Sequence, residues 1–427
     1  MNKPLLIIVV GAILVRLGLW MGFQSLDMLH DDEREYNTIA KNLVAAHGNP
    51  DGFAVTSGSP TSIRPPLYPY FLAGVYSVAG VEHFQAVRFL QALLSLLTLP
   101  ILYRLGVEVY SQKVGTWLAG LYAFYPSLLG YNNLILTETL FTFLFVSTCY
   151  LLIHALQTHS LGWLMAGGLV MGLTALTRSV LWLFPPVLCL FLLFAWKGSF
   201  SHRILAIASF SVIFGIVLTP WAVRNSKLHQ TLVIVDVMGG RNFMMGNYEY
   251  TPLYRSWDAV SIPVEDDRFW RNEVIRANPD GGMETEGKVD KLALRQGLKF
   301  VAAHPGQTAF RDLIKFFDFW GLERELPSAA SHGYFGSIPK GGVIGLSVLI
   351  VGAYVVALFL GVFGMCMVPP SSRTVHLFLL LLMAYITGMH TLVFGHSRYH
   401  VPLMPVVLLY AAAAVVHLRM IWECRSL

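Results

Sequence analysis

The chain has 427 residues, 55% of them hydrophobic and only 13% charged, with a formal net charge of +5. An ordinary soluble domain carries roughly 25% charged residues, so the composition excludes a water-soluble fold and points to helices in a bilayer. The basic residues form no polybasic run and are matched by acids in the largest polar segment, which excludes a nucleic-acid partner.

The apolar run after Lys3 extends to Phe23. It is longer than the ~7–15-residue core of a signal peptide and has no small-residue cleavage pattern after it, so it reads as a retained first span. Further spans are expected at 84–107, 114–130, 134–156, 161–178, 180–196, 203–221, 341–367, 374–394 and 400–420, an all-α polytopic protein with about 10 transmembrane helices. Arg104, Lys113, Lys197, Arg203, Arg373, Arg419 and Arg425 fall on the Lys3 side. The positive-inside rule makes that side, and both termini, cytoplasmic. The four cysteines lie in or beside apolar runs, with no disulfide framework or metal-ligand spacing.

Two long polar segments face the other way, 24–66 with the adjoining apolar stretch 67–81, and 222–340. The chain thus divides into an N-terminal transmembrane module 1–221 containing the first extracytoplasmic loop 24–81, an extracytoplasmic segment 222–340, and C-terminal helices 341–427. The segment from Arg224 to Lys340 holds 15 of the 30 basic residues and 15 acids; long translocated segments are largely exempt from the charge rule. The 15 residues Leu67–Val81 are short for a span and are expected to lie as an interfacial or re-entrant helix. In 31–46 the apolar positions Tyr36, Ile39, Ala40, Leu43 and Val44 make one face of a helix lying along the membrane surface.

Chemistry-bearing residues gather on that outer side. Asp31, Asp32, Glu33 and Glu35 follow the first span closely, and carboxylates there can serve as a general base or hold a divalent cation. Asp32-x-x-Glu35 also reads as a helix capping box. Arg16, Glu138 and Arg178 sit in or beside spans, where a charge usually faces protein, water or a partner; for Arg16 an internal ion pair, for instance with Glu138, is the expectation, and for Arg178 at the outer boundary a functional role. Arg64, Arg224, Arg241 and Arg398 reach the same face, the last beside His396 and Tyr399, and guanidinium forks suit phosphate oxygens. One such arginine would be a headgroup anchor; several beside an acidic cluster suggest a site for an anionic, membrane-bound substrate.

Asp32-Glu33-x-x-Tyr36-x-x-x-Ala40-x-x-Leu43 followed by Arg64-Pro65-Pro66-Leu67-Tyr68-Pro69 resembles the first extracytoplasmic loop of C-type (GT-C fold) glycosyltransferases that use polyprenyl-phosphate sugars, the protein O-mannosyltransferases and bacterial aminoarabinose transferases. Leu136-Thr137-Glu138-Thr139-Leu140, Leu176-Thr177-Arg178, Thr219-Pro220-Trp221-x-x-Arg224-Asn225, Gly246-Asn247, His304-Pro305-Gly306 and Arg398-Tyr399-x-x-Pro402-Leu403-x-Pro405 follow in family order. The resemblance implies a GT-C fold in the plasma (inner) membrane with its site on the extracytoplasmic, periplasmic side. It implies inverting transfer of a sugar from a polyprenyl phosphate to a lipid, glycan or protein acceptor, with Asp32, beside Glu33, as catalytic carboxylate. Arg64, Arg178, Arg224 and Arg398 would hold the donor phosphate, with Asp31, Tyr36, Glu138, Arg241, His396 and Tyr399 as further site residues. Since some relatives bind a divalent cation (Mg, Mn or Zn) and others do not, the metal stays open, with Asp32 or Glu33 as its holder. Segment 222–340 would form a lid or acceptor platform. A transporter or flippase of a lipid-linked saccharide is the alternative, set back by the absence of an internal repeat and by candidates crowding one face.

Overall fold

The computed structural model describes residues 3–23, 31–56, 58–249, 251–254, 256, 285–393 and 395–425. Seventeen α-helices run through them: α1 Lys3–Gly22, α2 Asp31–Ala45, α3 Leu67–Ala79, α4 Phe84–Val109, α5 Gln112–Ala123, α6 Pro126–Tyr131, α7 Glu138–Thr158, α8 Leu161–Thr177, α9 Phe184–Ala195, α10 Phe200–His229, α11 Gly239–Gly246, α12 Glu286–Ala303, α13 Pro305–Phe319, α14 Glu325–Ser331, α15 Lys340–Met367, α16 Arg373–Leu392 and α17 Met404–Arg425. Among the described residues one small sheet pairs Ala54–Thr56 with Ser59–Pro60. The chain is a multi-pass membrane protein: among the described residues seven helical stretches are long and apolar enough to cross a bilayer.

Two expected spans are shorter than the hydropathy suggested. The stretch 114–130 breaks at Phe124–Tyr125, leaving α5 with 12 residues. At 1.5 Å per residue α5 covers about 18 Å, short of the ~30 Å core. The break follows from Pro126, which opens α6 and disfavours helical backbone just before it. The stretch 180–196 becomes a 3-10 turn Ser179–Leu181 and then the 12-residue α9. Conversely, α10 outruns its expected end at 221 and carries Arg224 and Asn225 as helical residues.

Arg16 does not pair with Glu138. It donates to Ser95 Oγ from Nε and Nη2 at 3.1 and 2.9 Å, and from Nη1 to the carbonyl of Ala123 at 3.0 Å. Ala123 ends α5, so the buried arginine satisfies a carbonyl orphaned by the helix break.

On the Asp32 side, α2 buries Tyr36, Ile39, Ala40 and Leu43, the expected face, against α3. Tyr36 meets Tyr68 edge-on at 5.1 Å and Tyr76 donates to Asn37 Oδ1 at 2.8 Å. The 13-residue α3 is too short to span. The first loop is bound to segment 222–340 rather than covered by a separate domain: Thr61 donates to Glu286 at 2.7 Å, Ser62 to Asn225 Oδ1 at 2.8 Å, and Val237 N–H to the Ser62 carbonyl at 3.0 Å. Helix α13 is inverted, burying Thr308, Arg311 and Lys315 while exposing Phe310, Leu313, Phe316 and Phe317. An apolar outer face on a helix packed against the membrane helix α16 belongs in the lipid interface.

Candidate active site

Asp32 is the second residue of α2. Its carboxylate is held at both oxygens: Oδ1 accepts from Arg64 Nη2 at 2.6 Å, and Oδ2 from Arg398 Nη1 at 3.0 Å. The capping-box reading thus gives way to an ionic one, because the helix already begins at Asp31. Arg64 also donates from Nε to Glu35 Oε2 at 2.7 Å and lies 5.3 Å from the centre of the Tyr36 ring. Arg398 donates from Nε to Glu138 Oε1 at 2.6 Å. Arg178 reaches the same oxygen at 3.5 Å and rests over Phe141 and Tyr399, 5.7 and 5.5 Å from the ring centres. Five elements, α2, the loop before α3, α7, the end of α8 and the 3-10 turn Ser397–Leu403, therefore converge on one alternating network of three carboxylates and three guanidiniums.

Glu138 opens α7 and is fully buried, where the positive end of the helix favours its charge. Among the described residues its buried Oε2 has no hydrogen-bond partner. Burial pushes the Asp32 carboxyl up, but Arg64 and Arg398 outweigh it and bring it down to about 2. Arg64 is likewise held above its ordinary value, burial opposing and Tyr36, Asp32 and Glu35 prevailing.

Glu33 faces the other way. It is fully buried, and its Oε1 accepts the Ile135 N–H at 2.6 Å. Residues 132–137 link α6 to α7 outside regular helix, and three of their carbonyls are satisfied by side chains: Gln91 donates to the Asn132 and Leu134 carbonyls at 3.0 and 2.8 Å, and Arg88 to the Asn133 carbonyl at 2.9 Å. Non-helical backbone at membrane depth persists only with such partners. Glu33 thus shapes the approach to Glu138.

The remaining candidates divide. Tyr399 stacks on His390 at 4.8 Å within the cluster. His396 accepts the Arg398 N–H at 3.1 Å and caps its turn. Asp31 points to solvent beside Arg34. Arg224 is committed elsewhere, donating to the carbonyls of Thr61 and Pro50 at 2.6 and 3.0 Å and to Ser62 Oγ at 3.0 Å. Arg241 keeps to α12, its N–H donating to Asp290 Oδ1 at 2.9 Å. Two acids near the site escaped the sequence reading. Asp236 accepts the Met238 N–H at 3.1 Å, feels Arg64, and is pushed by burial up to about 6. Glu325 lies 3.8 Å from His396. Neither carries a local signal within a segment holding 15 acids.

Among the described residues no three His, Cys, Asp or Glu side chains gather as a metal site. Both Asp32 oxygens are taken by guanidiniums and Glu33 is bound to backbone, so this donor set does not fit a resident cation.

Residues 63–223 match the sequence model of the dolichyl-phosphate-mannose-protein mannosyltransferase family. No curated protein sequence matches the chain. The Archaeoglobus fulgidus oligosaccharyltransferase, crystallised with Zn and sulfate, superposes with a TM-score of 0.54 at 15% identity, over 98% of this chain and 50% of that one. The same organism's oligosaccharyltransferase AglB, in complex with an inhibitory peptide and a dolichol-phosphate, superposes at 0.53 and 16%, over 99% and 52%. ArnT from Cupriavidus metallidurans gives 0.46 at 16% identity, over 95% and 77%, too low a score to add weight. The chain spans about half the length of the oligosaccharyltransferases it overlays. Identities this low show the fold, and that fold is the one its motifs imply: the chain is a polytopic membrane protein of the C-type glycosyltransferase fold.

Proposed function

We propose that this protein is an inverting glycosyltransferase that moves a sugar from a polyprenyl-phosphate donor to a lipid, glycan or protein acceptor. The observation that carries the reading is Asp32 clamped between Arg64 and Arg398, a base placed against cations that suit a phosphate. The acceptor oxygen attacks the anomeric carbon as its proton passes to Asp32. The bond from that carbon to the phosphate oxygen breaks, and the polyprenyl phosphate leaves with the bonding electrons. Its added charge is met by Arg64, Arg398 and Arg178, donors placed before charge develops.

The same clamp regulates the base. A carboxyl at about 2 is a weak proton acceptor. An incoming phosphate draws the two guanidiniums toward itself, and Asp32 then climbs toward a useful basicity. The basic connections on the Lys3 side support cytoplasmic termini and a site on the extracytoplasmic face; the plasma-membrane location rests on the motif resemblance.

The test is release of polyprenyl phosphate by purified protein given a panel of polyprenyl-phosphate sugars and candidate acceptors, with and without a chelator. Release lost in Asp32→Asn supports the reading. Donor binding without release from any donor sinks it and leaves the flippase.

A further inference from the structure

Behind Arg398 lies a second polar cluster that the proposed chemistry does not use. Glu323, in the linker between α13 and α14, is 5% exposed. Its Oε1 accepts from Tyr125 OH at 2.9 Å and lies 3.1 Å from His400 Nε2; its Oε2 accepts a short bond from Ser127 Oγ. His400 is fully buried, and its Nδ1 bonds to the Phe319 carbonyl. A carbonyl can only accept, so Nδ1 carries a hydrogen and Nε2 is the nitrogen that shares a proton with Glu323. The imidazole is stacked between Trp320 and Tyr354, at 5.7 and 4.8 Å, and Tyr354 OH closes the cage by donating to the Trp320 carbonyl at 2.6 Å.

His400 is two residues past Arg398 in the 3-10 turn Ser397–Leu403. At three residues per turn the two side chains leave that turn about 120° apart, on different faces. One side grips Asp32 and Glu138 through Arg398; the other is fixed among α13, α15, α6 and the linker. A small cavity between them is lined by Ser127, Tyr131, Glu323, Glu325 and Arg398. A buried acid–imidazole pair is weak ground for stability, because apolar side chains of similar volume often serve as well. Registry is the better account of its place here.

We propose that Glu323 and His400 are a positioning pair that sets Arg398 against Asp32 and the donor phosphate. The inference deepens the glycosyltransferase reading and rests on Arg398 as a phosphate holder. A misplacement of about 1 Å at a reacting site can cost roughly 100-fold in rate. Glu323→Gln, which keeps shape and loses the acid, is expected to raise donor KM and lower donor kcat/KM by up to about that factor while acceptor KM holds. Glu323→Asp recovers part of the loss. In an Arg398→Lys background Glu323→Gln adds little, since the residue it positions is already gone. A fall in kcat with donor KM unchanged, or losses that multiply with Arg398→Lys, overturns the proposal.

Hydrogen exchange over 396–403 in the full-length protein separates this inference from the functional reading. Faster exchange in Glu323→Gln and His400→Gln is expected whatever the substrate, and unchanged exchange overturns the pair's role. Wild-type protein that turns over no donor, with exchange still responding, counts against the transferase reading alone.

Discussion

Two sets of arginines on the same side of the molecule look alike in sequence and differ in what they hold. Arg64 and Arg398 grip side-chain carboxylates, Asp32, Glu35 and Glu138. Arg224 and Arg311 grip backbone carbonyls, those of Thr61 and Pro50 in one case and of Tyr248 and Thr251, at 2.8 and 2.6 Å, in the other. A guanidinium on a carboxylate can trade one anion for another, so a phosphate can enter without leaving a charge bare. A guanidinium on its own backbone has no such exchange, because leaving would orphan buried carbonyls. The partner, more than the arginine, separates a binding residue from a structural one.

That contrast can be broken by substitution. Asp32→Asn has the largest expected effect, a loss of roughly 10²–10⁴ in kcat from removing the general base, with the elution profile near wild type and a lower melting temperature, because the amide gives up the ion pairs to Arg64 and Arg398. Arg398→Lys keeps the charge but loses the fork that bridges Asp32 and Glu138; about 10² in donor kcat/KM should go. Arg224→Lys should do the reverse: a lower melting temperature, from about 1–3 kcal/mol of unmade hydrogen bonds, with kcat per folded molecule unchanged. A large kcat loss there would erase the distinction. Glu33→Ala leaves the Ile135 N–H unpaired and should cost a similar 1–3 kcal/mol, roughly, read by thermal unfolding.

The pH profile sharpens the comparison with the smallest effect. A depressed carboxyl contributes stability that is full above its unfolded value of about 4 and is lost as pH falls toward its folded value of about 2. Donor binding loosens the clamp, so the acid limb of kcat should lie at higher pH than that of donor kcat/KM. Asp236, pushed up to about 6 with Arg64 and Asp290 around it, can add a limb of its own. Repeating both profiles in Asp236→Asn isolates Asp32, and coincident limbs there would show that donor binding leaves the clamp untouched.

Much of this was legible from residue order. The 3, 4, 7, 8 spacing in 31–46 placed Tyr36, Ile39, Ala40, Leu43 and Val44 on one face; the first four are buried and Val44 is half-buried. The motif pieces carrying Asp32, Arg64, Glu138, Arg178 and Arg398 named five residues that meet, although up to 366 positions separate them. Arg16 was expected to pair with an acid such as Glu138, one of several arrangements that can hold a buried charge. Its real partners are a hydroxyl and the carbonyl of a helix break, which no hydropathy profile displays. Glu33 and Asp32, adjacent and both acidic, could not be told apart, since a helix turns neighbours by about 100° and only the packing of α2 decides which enters the protein.

Sequence by itself determined that this chain lives in a membrane and which short motifs carry the charges that meet. Those follow from local chemistry: apolar length against bilayer thickness, and the cost of an ion in hydrocarbon. Tertiary structure decided which charges pair, that Arg398 completes the Asp32 clamp while Arg224 does not, and that Glu323 and His400 stand behind it. Pairing depends on distances across elements far apart in sequence, and a hydrogen bond is made or lost within a fraction of an ångström.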